Sequence, residues 1–254
     1  INSKTATVDQ TIGARDDIMI YLISCGMPDK RAFKIMESVR KGRGLPDGAE
    51  EEMLNANVPQ WYITFWATTK LGAVLVTVNT AYKRHEADYL FRQSDTHTLV
   101  MVDSCLDSNY KDIINEICPE IATSKPGEPL HCKRLPFLRN VITVGFKQPG
   151  CLTFEEAMER ADLVTQEELN RMAARVRPDD VCNMQYTSGT TGFPKGVMLT
   201  HYNVVNNGKC IGDRMGLSTA DRMMIQVPMF HCFGMTLSMT SSMTHGATMC
   251  PMPY

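Results

Sequence analysis

No stretch of this chain approaches 18 uninterrupted apolar residues, which removes a membrane-spanning helix from consideration. The start, Ile1-Asn-Ser-Lys, has neither an initiator Met nor the apolar run of a secretory signal. Nine cysteines fall at 25, 105, 118, 132, 151, 182, 210, 232 and 250 without a single C-x-x-C pair. An odd number at irregular spacing reads as reduced thiols in a cytoplasmic protein and not as a disulfide framework or a zinc site. A strong charge of either sign is also missing. The formal net charge of -2 excludes wholesale electrostatic binding to nucleic acid while leaving room for a local basic patch. No internal repeat or low-complexity tract is present. The absent Met and the abrupt end at Pro251-Met-Pro-Tyr254 are those expected of a fragment.

What is present suits a globular protein. With 43% hydrophobic residues in 254, the chain can fill a sizeable core, as one large domain or two small ones. Residues 14 to 62 read as helices without a strand. Asp16 and Asp17 open the apolar run Ile18 to Ile23. Ala32, Ile35, Met36 and Val39 form one stripe of a helix over 29–41, stopped by Gly42 and Gly44. An acidic piece follows from Gly48 to Asn55.

From about residue 64 the pattern alternates. Short apolar runs at Ala73–Val78, Leu99–Val102, Val141–Val144, Cys182–Tyr186, Met223–Val227 and Ala247–Met249 predict strands. Helical stretches are expected near 85–93, 107–117, 166–175, 201–211 and 235–243, with Thr165-Gln-Glu-Glu168 as a capping-box signal. Lys125–Pro136 and Lys147–Cys151 read as surface loops. Strand–helix alternation predicts an α/β fold with a mostly parallel sheet.

One segment carries chemistry. Tyr186-Thr-Ser-Gly-Thr-Thr-Gly-Phe-Pro-Lys-Gly196 follows a predicted strand and precedes the apolar run Val197-Met-Leu. Its glycines allow tight turns that bring backbone N–H groups to an anion. Thr187, Ser188, Thr190 and Thr191 offer hydroxyl donors, and Lys195 a positive charge. The order Gly192-Phe-Pro-Lys is not a Walker loop, which needs Gly directly before Lys, nor the Rossmann glycine pattern. A Gly/Thr/Ser-rich run can also be a plain surface loop. Eleven residues in this order favour a polyphosphate cradle.

The segment resembles the signature of adenylate-forming enzymes: acyl-CoA synthetases, aryl-CoA ligases, luciferases and peptide-synthetase adenylation domains. The resemblance implies that Thr187, Ser188, Gly189, Thr190, Thr191, Gly192 and Lys195 hold the β- and γ-phosphates of ATP. Leu199-Thr-His-Tyr-Asn203 continues the pattern and should open the next helix. Pro228-Met-Phe-His-Cys-Phe-Gly234 is similar to the family's aromatic motif. That match makes His231 a candidate gate and catalytic residue, with Phe230 and Gly234 beside it in the substrate pocket. Ala67–Asn79 and Leu99-Val-Met-Val-Asp103 look like the family's early scaffold.

The resemblance implies a carboxylic acid, a fatty acid by the wording of the motifs, activated with ATP and Mg²⁺ to acyl-AMP and passed to coenzyme A. The family's adenine, ribose and C-terminal lysine elements are not found, so chain 1–254 is expected not to complete either half-reaction alone. It could serve as a non-catalytic nucleotide-binding remnant. An incomplete sheet is expected to expose edges and lower stability.

Residues 8–63 resemble instead a piece of the PolC-type DNA polymerase III alpha subunit, carried by Thr11–Ile23, Ala32–Gly42 and Asn57-Val-Pro-Gln-Trp-Tyr-Ile63. No Asp-x-Asp metal motif occurs in this stretch, so polymerase activity does not follow. The basic helix at 30–43 is the one place where nucleic-acid contact is conceivable. The expectation is a chimera joined near Ile63: a helical segment over 1–63, then a truncated AMP-binding domain over 64–254. A continuous, well-packed interface across residue 63 would count against it.

Overall fold

A computed structural model describes residues 57–105, 107–187 and 194–251. The helices expected within residues 14–55 lie outside these residues.

The first described helix, α1 (Pro59–Lys70), starts where Val58 is extended and Pro59 takes the first helical position, which needs no N–H donor. It runs unbroken through Ile63. Phe65 is 1% exposed and stacks on Trp61 (centroids 5.7 Å apart), while Trp66 meets it edge-on at 4.9 Å. Ile63 itself, 43% exposed, faces outward.

After β1 (Leu75–Val76), helix α2 (Arg84–Gln93) buries Ala87, Leu90 and Phe91 at i, i+3, i+4 spacing. The strands β2 (Thr98–Met101), β3 (Ser104–Cys105) and β4 (Ser108–Asn109) lead into α3 (Tyr110–Ile117), capped by the Asn109 side chain on the Asp112 amide. Strands β5 (Asn140–Thr143) and β6 (Leu152–Thr153) precede α4 (Phe154–Met158) and α5 (Gln166–Ala173). At α5 Thr165 accepts the Glu168 amide at 3.2 Å, which is the capping contact its sequence signalled.

The last third holds β7 (Val181–Thr187), β8 (Lys195–Thr200), α6 (His201–Met215), β9 (Arg222–Ile225), a π-helix over Phe233–Thr240, α7 (Ser241–His245) and β10 (Thr248–Pro251). Thr200 caps α6 reciprocally with Asn203, so this helix opens where its sequence placed it. Gly208 on α6 lets the helix press against the π-helix, since a Cβ there would come within 2.8 Å of two Thr240 side-chain carbons.

The ladders β1–β7, β2–β5, β5–β6 and β9–β10 are parallel, and β3–β4 and β7–β8 antiparallel. The α/β, mostly parallel character is therefore as expected, but the described strands form four short sheets. A register shift between Val181 and Asn183 bulges β7 against β8.

Two cores result. One lies beneath α2 and α3, with Leu90, Phe91, Ile114, Ile117 and Leu138. The other joins Phe65 to Cys182, Val204, Ile225, Met229, Met235 and Met239.

Candidate active site

The segment Tyr186–Gly196 links two strands that pair antiparallel. Strand β7 ends at Thr187, β8 begins at Lys195, and these two residues are direct register partners across the antiparallel ladder. Both are exposed. The ladder therefore brings a hydroxyl and an ammonium to the mouth of the same linking segment, about 5 Å apart at the backbone. Ser188, Gly189, Thr190, Thr191 and Gly192 lie outside the described residues. Among the described residues, no ion pair engages Lys195.

Alternation along β7 sends Gln185 and Thr187 to one face and Met184 and Tyr186 to the other. The Gln185 amide lies 3.6 Å from the Met235 sulfur of the π-helix. Thr187 thus shares a face with the element that follows the second motif. Sequence reading passed over Gln185, although its two-residue offset from Thr187 is the signal that could have found it.

Residues 228–234 form a tight turn into that π-helix. The His231 amide donates to the Pro228 carbonyl at 3.1 Å, and the His231 carbonyl accepts the Met235 amide at 2.9 Å. Gly234 is needed for close approach. A Cβ there would sit 2.3 Å from the Pro228 carbonyl oxygen, a backbone atom that cannot swing away. The Phe233 N–H donates to His231 Nδ1 at 3.1 Å, so Nδ1 must offer its lone pair. The neutral ring then carries its proton on Nε2. His231 remains solvent-accessible, yet partial desolvation holds its pKa below the ordinary imidazole value and favours that neutral form.

Asn57 holds this motif in place from a distant part of the chain. It is 3% exposed, its Nδ2 donates to the Val227 carbonyl at 2.9 Å, and its Oδ1 accepts the Met229 amide at 2.9 Å. One side chain pairs with two backbone groups of the segment that leads from β9 to Phe230 and His231. Sequence reading had assigned Asn57 to the foreign segment.

Phe230 also borders a largely apolar cavity of about 800 Å³, shared with Trp61, Val76, Phe91, Met184 and Met198. His231 and Gly234 do not line it. The site residues therefore divide into three groups: Thr187 and Lys195 at the hairpin mouth, His231 and Gly234 at the π-helix entrance, and Phe230 at the cavity wall. Tyr186, on the opposite face of β7 from Thr187, buries a hydroxyl without a partner, and desolvation raises its pKa.

A family model described as AMP-binding enzyme matches residues 41–254. The chain belongs to the AMP-binding enzyme family. It is 46% identical over 209 residues to the candidate acyl-CoA synthetase YngI of Bacillus subtilis, covering 82% of this chain and 38% of that protein. To the mitochondrial medium-chain acyl-CoA ligase of Danio rerio it is 35% identical over 193 residues, covering 75% and 32%. Among solved structures it resembles the anthranilate CoA ligase AuaEII, in complex with anthranoyl-AMP. That likeness has a TM-score of 0.65 and 25% identity, over 79% of this chain and 34% of the other. The chain thus spans about two fifths or less of the length of these relatives.

The AMP-binding match reaches across the position of the expected join near Ile63. The family begins at residue 41, inside the stretch 8–63 that resembled a PolC-type polymerase, and the comparisons lend that resemblance no support. Helix α1 crosses residue 63 without a break. Asn57 and Trp61 before that point, and Phe65 after it, all engage the core behind the site. Among the described residues, no helix is long and apolar enough to cross a membrane.

Proposed function

We propose that this chain carries the phosphate-gripping and acyl-side elements of an enzyme that activates a fatty acid with ATP, forming acyl-AMP and then acyl-CoA. The observation that carries the reading is the pairing of Thr187 with Lys195 across the mouth of the Ser/Thr/Gly turn, in a chain of the AMP-binding family. Ser188, Thr190 and Thr191 add hydroxyls, and Gly189 and Gly192 the backbone freedom, for the β- and γ-phosphates. Lys195 neutralises charge that builds as pyrophosphate departs. The turn's donors suit phosphate oxygens. It contains no carboxylate for a magnesium ion.

His231, neutral and with Nε2–H free to donate, stands as the gate on the acyl side, on a turn that Gly234 keeps tight. The cavity beside Phe230 accommodates an alkyl chain, since its lining is dominated by Val, Leu, Met and aromatic carbon. A medium-chain carboxylate fits the named activity of the Danio rerio relative. Coenzyme A is the acyl acceptor that the relatives' names imply. A reducing, cytoplasmic setting suits the eight described cysteines, all of which are free.

Calorimetric titration of the 254-residue chain with ATP, and separately with pyrophosphate, tests the reading. Lys195→Ala is expected to weaken both by about tenfold or more, since a hydrogen bond to a charged group contributes roughly 1.5–3 kcal/mol. Equal affinity of the two proteins would remove Lys195 from the phosphate site.

A further inference from the structure

Far from the hairpin mouth, three potential metal ligands converge at the end of α3. The Sγ atoms of Cys118 and Cys132 and a carboxylate oxygen of Glu120 all lie within 4.8 Å of one another. Cys118 is fully buried and Cys132 is 3% exposed. Glu120 Oε1 accepts the Lys133 amide at 3.2 Å, whereas its Oε2 is buried and has no hydrogen-bond partner. The groups facing the Glu120 carboxylate here are the two thiols, which are weak donors, so an oxygen withdrawn from water is left poorly satisfied beside two sulfur atoms.

We propose that Cys118, Glu120 and Cys132 form a binding site for a thiophilic divalent cation, zinc in the first instance, which clips the loop 125–139 to the end of α3. Zinc bonds of about 2.3 Å to sulfur and 2.0–2.2 Å to oxygen separate tetrahedral ligands by roughly 3.5–3.8 Å, so the three atoms would draw together by about 1 Å at most, with a water as the fourth ligand. Outer partners are already in place. The Leu135 amide donates to Cys132 Sγ at 3.3 Å, and the Lys133 amide orients the carboxylate.

Charge balance permits the exchange in a buried place. At neutral pH ordinary thiols are protonated, so two thiols and one carboxylate carry a net charge of -1. Binding M²⁺ with loss of both thiol protons to solvent leaves that charge unchanged. No electron is transferred. The spacing Cys-x-Glu with the third ligand twelve residues on is not a zinc-motif signature, which is why the sequence alone points away from a metal.

The test uses the full chain, reduced and stripped of metal, titrated with Cd²⁺ while the ultraviolet cadmium–thiolate absorption is followed, then back-titrated with Zn²⁺. One Cd²⁺ per chain, displaced by Zn²⁺ with two protons released on first binding, is the expected result. Cys118→Ser and Cys132→Ser should abolish the signal, and Cys210→Ser, at an exposed cysteine, should leave it intact. Glu120→Gln, at a partly exposed residue whose change the fold should tolerate, should weaken binding by at least the roughly 10–100-fold that loss of an outer partner alone costs. That variant decides the matter if either buried Cys variant fails to fold. Absorption that survives both buried Cys variants, an affinity indifferent to Glu120→Gln, or a Cys118–Cys132 disulfide in the protein as isolated would each overturn the proposal.

Discussion

The two cores of this molecule are made of different stuff. Beneath α2 and α3 the buried side chains are mainly branched or aromatic, with Leu90, Phe91, Ile114, Ile117, Leu130 and Leu138 in well-defined rotamer shapes. Behind the candidate site the core rests on Met229, Met235 and Met239, with Met223 and Met249 partly buried against it. Buried hydroxyls of Ser238, Thr240, Ser241 and Ser242 bond back to backbone carbonyls of the π-helix three to five residues earlier. Unbranched thioethers adapt their shape where branched chains cannot. The first core is built to hold one arrangement. The second is the more adaptable of the two, whereas the cavity beside Phe230 is lined from the first core, by Ala87, Leu90, Phe91, Met101 and Ile114.

The sharpest way to break this contrast is a pair of truncations followed by denaturant unfolding. Leu138→Ala is expected to cost about 4 kcal/mol, whereas Met239→Ala should cost nearer 2, because the methionine core collapses more readily around a void. Equal losses would erase the distinction. Gly234→Ala probes the one rigid point in the adaptable core and is expected to cost about 3 kcal/mol, because the obstacle is the Pro228 backbone. A negligible change in melting temperature would mean that the turn can open.

Asn57→Ala should cost about 2 kcal/mol, since it strands the Val227 carbonyl and the Met229 amide in a dry interior. The same substitution should lower affinity for a medium-chain acyl-AMP analogue by displacing His231, which a purely local defect would not do. A smaller effect belongs to the other core. There the Arg134 guanidinium, bonded to the nearly buried carboxylate of Asp88, lowers the Asp88 pKa below its usual value. The folded value lies beneath the unfolded one, so this contribution is complete above the unfolded pKa and fades as pH falls through the folded one. Melting temperatures of the parent and Asp88→Asn should therefore converge in acid; a constant gap would contradict the pairing. Lys195→Ala comes last for stability, within roughly 0.5 kcal/mol, and serves to separate binding from folding.

Much of this was legible in the residues. The strands at 98–101, 140–143 and 222–225 coincide closely with short apolar runs, and Thr200 opens α6 as its surroundings indicate. Local chemistry suffices there, because a short apolar run set between polar stretches is itself the strand signal and a cap needs only its own neighbours. What stayed hidden depends on distance. Asn57 meets Val227 across 170 positions, and no local pattern announces an amide that will pair with a remote strand. The antiparallel pairing of β7 with β8 was masked by the strand–helix rhythm around it. A π-helix has the same composition as the α-helix expected near 235–243, and only its hydrogen bonds distinguish it. The cavity arises between elements, so no segment encodes it alone. At the site, residue types pointed to a phosphate cradle, but the facing of Thr187 and Lys195 is a matter of register.

The bulge in β7 carries a consequence for how this strand tolerates change. It shifts the alternation of side chains by one position ahead of Asn183, so it acts as a phase setter for everything downstream. Substitutions at Met184 or Gln185 alter one contact each. Deleting a single residue at the bulge, in contrast, would move Thr187 to the face now held by Tyr186 and turn the aromatic ring toward the turn's mouth. Lineages of this strand should accordingly keep its length between Val181 and Thr187 more strictly than the identity of its half-buried side chains.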